Sequence, residues 1–154
     1  MKRIMLVAVC MVAAGLLTGC APAVVVQNNS GFPVRAIVSS GGRAEVLSPS
    51  PGESSVTEVS EGAYGVYVVP DDEWIEYAKD TRKYLNDRLA NPDSLTGEQL
   101  LDVIRRLKAV AVRIKQFESA AGTGSGCTGT VTGDGGGVVE ISTAANGALV
   151  ATCK

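Results

Sequence analysis

The sequence predicts a mainly β domain with an α insertion, a small β-sandwich interrupted by an antiparallel helical hairpin. Three observations lead there. Short β-branched runs separated by turn residues fill 24–69. At Pro70 the apolar spacing changes from a period of two to that of a helix. Beyond Gly122 the strand pattern returns and runs to the C-terminus at 127–154. Strands before and after a helical stretch make 71–121 an insertion into one β domain.

The first strand is the run Val24-Val25-Val26, closed by the turn cluster Asn28-Asn29-Ser30-Gly31. Val34, Ala36 and Val38 alternate with Arg35, Ile37 and Ser39 in the second, and Ser40-Gly41-Gly42 turns the chain. Ala44 to Leu47 is a third short strand. Ser48-Pro49-Ser50-Pro51-Gly52 is a loop, because two prolines remove donors from any ladder. Val56 to Val59 resumes the strand pattern, and Tyr64, Val66 and Val68 alternate in the fifth. Five strands at this spacing suggest a sandwich or an open barrel.

Asp71, Asp72 and Glu73 crowd the start of the first helix, where the dipole favours negative charge. Trp74, Ala78, Thr81, Leu85 and Leu89 give it an apolar stripe over 72–90. Asn91-Pro92 ends it. Thr96-Gly97-Glu98-Gln99 is spaced as a capping box and opens a second helix over 97–119. Its stripe, Leu100, Val103, Ile104, Leu107, Val110, Ala111, Ile114 and Phe117, is wider than a two-helix seam needs. The excess covers a sheet face, with Leu107 and Ile114 as core, or meets a partner: an envelope protein or a second copy. Gly122 to Gly126 reads as a hinge, followed by strands at 128–132, 137–142 and 148–152 with hairpin turn signals at Asp134-Gly135 and Asn146-Gly147.

Composition excludes several functions. The chain has no histidine, so Ser-His-Asp triads, Cys-His dyads and His-containing zinc sites are absent. Fourteen basic and sixteen acidic residues, interspersed, do not form the basic patch of a nucleic-acid binder. Gly124-Ser125-Gly126-Cys127-Thr128-Gly129 matches a dinucleotide loop literally, but a helix precedes it and a strand follows. A phosphate loop needs the reverse order, so the match is a linker. Asp72, Glu76 and Asp80 share a helix face with Lys79 and Lys83, which makes a solvated face rather than a calcium site. Asp134 is a turn former. No catalytic residue, metal or cofactor is assigned. Trp74, Tyr77 and Tyr84 are the candidates for ligand or partner contact, with glycan or small-molecule stacking as the alternative to an edge between helix and sheet.

The N-terminus carries the most specific pattern. Lys2 and Arg3 precede fourteen uncharged residues, Ile4 to Leu17, too few for a spanning helix, which needs ~20. The run ends in Leu17-Thr18-Gly19-Cys20. This resembles the lipobox of bacterial lipoproteins, with a signal peptide over 1–19. The resemblance implies cleavage between Gly19 and Cys20, a lipid thioether on the Cys20 sulfur, and membrane lipid as a partner. It places the protein in the bacterial cell envelope, anchored on the outer side of the cytoplasmic membrane or to the outer membrane. The mature chain then carries twelve basic and sixteen acidic residues, net −4, so lipid rather than charge holds it to the bilayer. Residues 20–23 are the lipidated cysteine and its tether, at most ~14 Å long.

With Cys10 removed and Cys20 acylated, Cys127 and Cys153 remain as a disulfide pair in an oxidising compartment. The bond constrains topology. In a plain three-strand meander the outer strands would lie about 9.6 Å apart, beyond the ~7 Å Cα separation a disulfide tolerates. The strand at 128–132 must then bend away or join another sheet. Around the first strands, Val26-x-Asn28 and the spacing of Leu47, Pro51-Gly52-Glu53-Ser54 and Gly62-x-Tyr64 are similar to small immunoglobulin-like modules, which supports a sandwich and implies nothing about function. The anchor assignment predicts that Cys20→Ser abolishes fatty-acid labelling and blocks maturation; normal labelling of that variant would refute it.

Overall fold

The computed structural model describes residues 21–133 and 135–154. Residues 1–20, on which the signal-peptide and lipobox expectations rest, and Asp134 lie outside the described residues. Among the described residues, eight strands form two four-stranded sheets packed as a sandwich: β1 (Ala23–Asn28), β2 (Val34–Ser40), β3 (Arg43–Leu47), β4 (Ser54–Glu58), β5 (Gly62–Pro70), β6 (Ser125–Val131), β7 (Gly137–Thr143) and β8 (Leu149–Cys153). Two helices, α1 (Asp72–Ala90) and α2 (Gly97–Ala120), separate β5 from β6. The protein is thus a mixed α/β, sandwich-like domain.

One sheet runs β4-β1-β7-β8 and the other β3-β2-β5-β6. Every neighbouring pair is antiparallel except β1 with β7, which is parallel. The period-two pattern explains the core. Val24 and Val26 of β1, Val34, Ala36 and Val38 of β2, and Val66 and Val68 of β5 are buried. Their neighbours point outward, as pleated strands with one solvated face require.

β6 is where the disulfide constraint acts. It pairs with β5, opposite Val66 at Cys127, while β8 pairs with β7 in the other sheet. The Cys127–Cys153 bond therefore joins the sheets at their edges, across a Cα separation of 5.7 Å. The meander is avoided because β6 changes sheet. β6 also begins at Ser125, so Ser125 and Gly126 belong to the ladder and the hinge ends earlier than its glycines suggest. Ser125 reinforces the crossing: its hydroxyl oxygen accepts from the Ala151 N–H at 2.9 Å.

Strand directions give the sandwich two unlike ends. The connections 29–33, 48–53, 71–124 and 144–148 all leave from one end, here called the apex. Ala23, the turns at 41–42 and 59–61, the end of β6, the start of β7 and Lys154 lie at the other, the base. The apex and the start of β1 are opposed by construction, since β1 climbs from the base to the apex.

A single polar side chain organises the apex. Asn28 is fully buried. Its Nδ2 donates to the carbonyls of Phe32 at 3.0 Å and Pro49 at 2.9 Å. Its Oδ1 accepts from the Ser30 N–H at 2.9 Å and the Ser30 hydroxyl at 2.6 Å. A second buried group is unsatisfied: the Tyr64 hydroxyl has no hydrogen-bond partner among the described residues. Its ring fits between β6 and β7 because Gly129 and Gly137 have no side chains. A Cβ at Gly137 would lie 2.5 Å from the Tyr64 oxygen, and one at Gly129 would overlap the ring.

Asn28→Ala strands two carbonyls and the Ser30 donors, and should cost about 3 kcal/mol in urea unfolding; a loss under ~1 kcal/mol would show that the apex does not depend on it. Burial raises the Tyr64 pKa, because a phenolate there would be charged in a desolvated site. The folded value exceeds the unfolded value of about 10, so stability is complete below that pH and falls as pH rises through the folded value. Tyr64→Phe should remove that alkaline decline and leave neutral stability equal or up to ~1 kcal/mol higher. An unchanged decline in the variant would assign it elsewhere.

Candidate functional site

The apex carries both helices. Asp71 caps α1, accepting from the Glu73 N–H at 3.2 Å, and its own N–H donates to the Pro33 carbonyl at 3.1 Å. The helix start is thus tied to the β1–β2 connection. α2 opens with the capping box: the Gln99 N–H donates to Thr96 Oγ1 at 3.3 Å and the Thr96 N–H to Gln99 Oε1 at 3.0 Å. A single 3₁₀ turn, Pro92–Ser94, lies between the helices.

The helices are buried in two separate places. Near the sandwich, Ile75, Ala78, Ile114, Phe117 and Ala120 join the sandwich core. Phe117 sits between Phe32 at 5.6 Å and Trp74 at 5.8 Å, ring centre to ring centre. Phe32 belongs to the β1–β2 connection, so the helices seat on one end of the sandwich and do not roof a sheet face. The expectation of Ile114 as core holds. Leu107 is only half-buried, because it lies beyond that seat. Further out, Leu85 and Val103 are buried outside the sandwich core, where α1 and α2 contact each other. Ile75 was absent from the sequence stripe; it is buried because the start of α1 packs on the sandwich as well as on α2.

The three aromatic candidates do not converge. Trp74 is half-buried against Phe117. Tyr77 and Tyr84 are 71% and 56% exposed, and the Tyr84 hydroxyl accepts from Arg88 Nη1 at 3.1 Å. Asp72, Glu76 and Asp80 are all exposed, and Glu76 pairs with Lys79 at 2.9 Å. Among the described residues, no group of three or more Cys, Asp or Glu is placed to hold a metal ion. Gly124 to Gly129 lies after α2 and runs into β6, so its N–H groups do not face a helix start.

The outer surface of α2 has the features a binding face needs. Leu101 is 65% exposed, Val112 50% and Ile104 47%. Residues 103–117 contain five cations and no acid, while the rest of residues 20–154 has seven cations against sixteen acids. Arg106 pairs with Asp102 at 4.0 Å. Arg105, Lys108, Arg113 and Lys115 have no carboxylate within ion-pair distance among the described residues. Sequence reasoning missed this patch by averaging charge over the whole chain; the acid-free run was its visible signal. No family model matches the chain, and neither a curated protein nor a solved structure matches it.

Proposed function

We propose that this protein is a non-enzymatic envelope lipoprotein: an immunoglobulin-like sandwich, anchored through Cys20, that presents an antiparallel helical hairpin to another protein. The observation that carries the reading is the opposition of the apex and the start of β1. β1 starts at the base, three residues after Cys20, and the helices leave from the apex. An anchored base points the helices away from the lipid.

Other features support it. The Pro22 carbonyl accepts from the Val59 N–H at 2.9 Å, so the sandwich already holds the chain two residues after the anchor. That leaves a reach of about 7 Å from the bilayer. The inter-sheet disulfide suits an oxidising compartment, and two packed four-stranded sheets suit the immunoglobulin-like reading. The short 91–96 connection and the Leu85–Val103 region suit an antiparallel pair. At 24 residues α2 is about 36 Å long. A helix of that length seated only near its C-terminal end is more than the sandwich needs for cover.

The seat and the distal half can be tested separately. Removing 82–109 and joining the stubs with a short Gly-Ser linker keeps Ile75, Ala78, Ile114 and Phe117 in place. The expected product is folded, disulfide-bonded and lipidated, and no longer retains its partner in crosslinked membranes. If it aggregates, the distal half is part of the fold; if it keeps every partner, the hairpin is not the docking element.

A further inference from the structure

The apolar residues of α2 form two seams of heptad spacing. Val103, Leu107, Val110, Ile114 and Phe117 follow 4-3-4-3 spacing toward α1 and the sandwich. Leu100, Ile104, Leu107 and Ala111 follow the same spacing one step round the helix. Of these, Ile104 and Ala111 are exposed and Leu100 and Leu107 half-buried. Helix geometry locates this second seam. Tyr84 and Arg88 of α1 share a concavity with Asp102 and Arg106 of α2 on one flank of the helix pair. Ile104 and Ala111 lie round α2 in the opposite sense, and Arg82 and Asn86 lie round α1 in the opposite sense. Those four border the other flank.

Charge selects what can lie along that flank. Lys108 and Lys115 follow one edge of the seam at heptad spacing, and Arg82 stands on the α1 side. None of the three has an ion-pair partner among the described residues. Lys79 on α1 is engaged by Glu76, and the acid on the seam line is Glu118, at its sandwich end. An apolar strip between cationic edges fits an amphipathic helix with acidic flanks. A second copy of this chain brings Lys108, Lys115 and Arg82 against the same three cations, a like-charge juxtaposition that disfavours it.

We infer that the α1–α2 flank centred on Ile104 holds a helix of another protein, apolar at its heptad core positions and acidic beside them. This rests on the reading of the helices as a docking element and names the chemistry of what docks. The three helices would pack as a short coiled coil, with Ile104 and Ala111 supplying the knobs that α1 leaves uncovered.

The probe is a labelled synthetic helix of about three heptads, Leu at the core positions and Glu at the flanks. It is titrated by anisotropy against the lipidated protein in neutral detergent. A matched peptide carrying Lys at the flanks is the control. The expected result is binding at least about tenfold tighter for the acidic peptide, weakening as salt rises. Ile104→Ser and the Lys108→Glu, Lys115→Glu pair should each weaken it about tenfold, with helix content unchanged by circular dichroism. Both sites are exposed, so one variant remains informative if the other fails to fold. Equal binding of both peptides, or none, overturns the proposal. So does self-association in sedimentation that Ile104→Ser abolishes, which would identify a second copy. Ile104-dependent adsorption to phosphatidylglycerol vesicles would instead identify a lipid surface and also overturn it. If the distal truncation loses its partner in membranes while the acidic peptide does not bind, the docking reading stands and this inference fails.

Discussion

The carboxamide of Asn28 is out of contact with water and makes four hydrogen bonds, two given and two received. Through them it holds the β1–β2 connection and the 48–53 loop together. Its backbone extends the set, donating to the Glu53 carbonyl at 2.9 Å and accepting from the Gly52 N–H at 2.7 Å. A buried amide is costly when any bond is missing, so a fully satisfied one selects a single loop conformation. That conformation places Phe32, and Phe32 is the surface on which Phe117 and so both helices stand. The floor on which the helices stand is thus set by this side chain.

The long edges of the sandwich are closed by different means. On the β6–β8 side the closure is covalent, with the Ser125–Ala151 bond beside the disulfide. On the β3–β4 side the Thr57 hydroxyl donates to the Glu45 carboxylate. A cavity of about 410 Å³ lies behind that contact, reaching from Val38 to Ala21. The crosslinked side is the one that receives the returning helix. Thr123 ties the exit of α2, its hydroxyl donating to the Ala120 carbonyl at 2.6 Å. A chain that leaves the sandwich at Pro70 and returns at Ser125 needs both points fixed, or the seat under Phe117 would open. The cap at Asp71 fixes the departure, and β6 with its disulfide fixes the return.

Much of the architecture was legible because local chemistry and global fold agree. The alternation in β2 and β5, the prolines at 49 and 51, the acidic start of α1 and the Thr96–Gln99 box each specify their structure within a few residues. The disulfide was legible by a different route. The resemblance of residues 1–20 to a lipoprotein signal sets Cys10 and Cys20 aside and leaves Cys127 with Cys153, and strand spacing then asks the strand at 128–132 to bend away or join another sheet. The exposed tyrosines were legible as residues but not as a site, since a seven-residue spacing aligns side chains along a helix without saying what faces them. Ile75, the half-burial of Leu107 and the end-on seat were not legible at all. A stripe on a helix records that something covers it, and nothing in its spacing tells a sheet face from the end of a sandwich.

By itself, then, the sequence determined the element order, the caps and the turn positions, because each rests on backbone sterics, short-range hydrogen bonds or chain length. The tertiary structure alone decided three things. It paired β1 in parallel with β7, a contact between distant segments that no local pattern encodes. It satisfied Asn28 with partners from two loops, turning a residue that reads as a turn former into the support of the apex. It seated the helices on Phe32 with the acid-free face of α2 turned outward. These depend on which surfaces meet after the strands have formed, and that is settled by shape and burial over the whole chain rather than by the propensity of any segment.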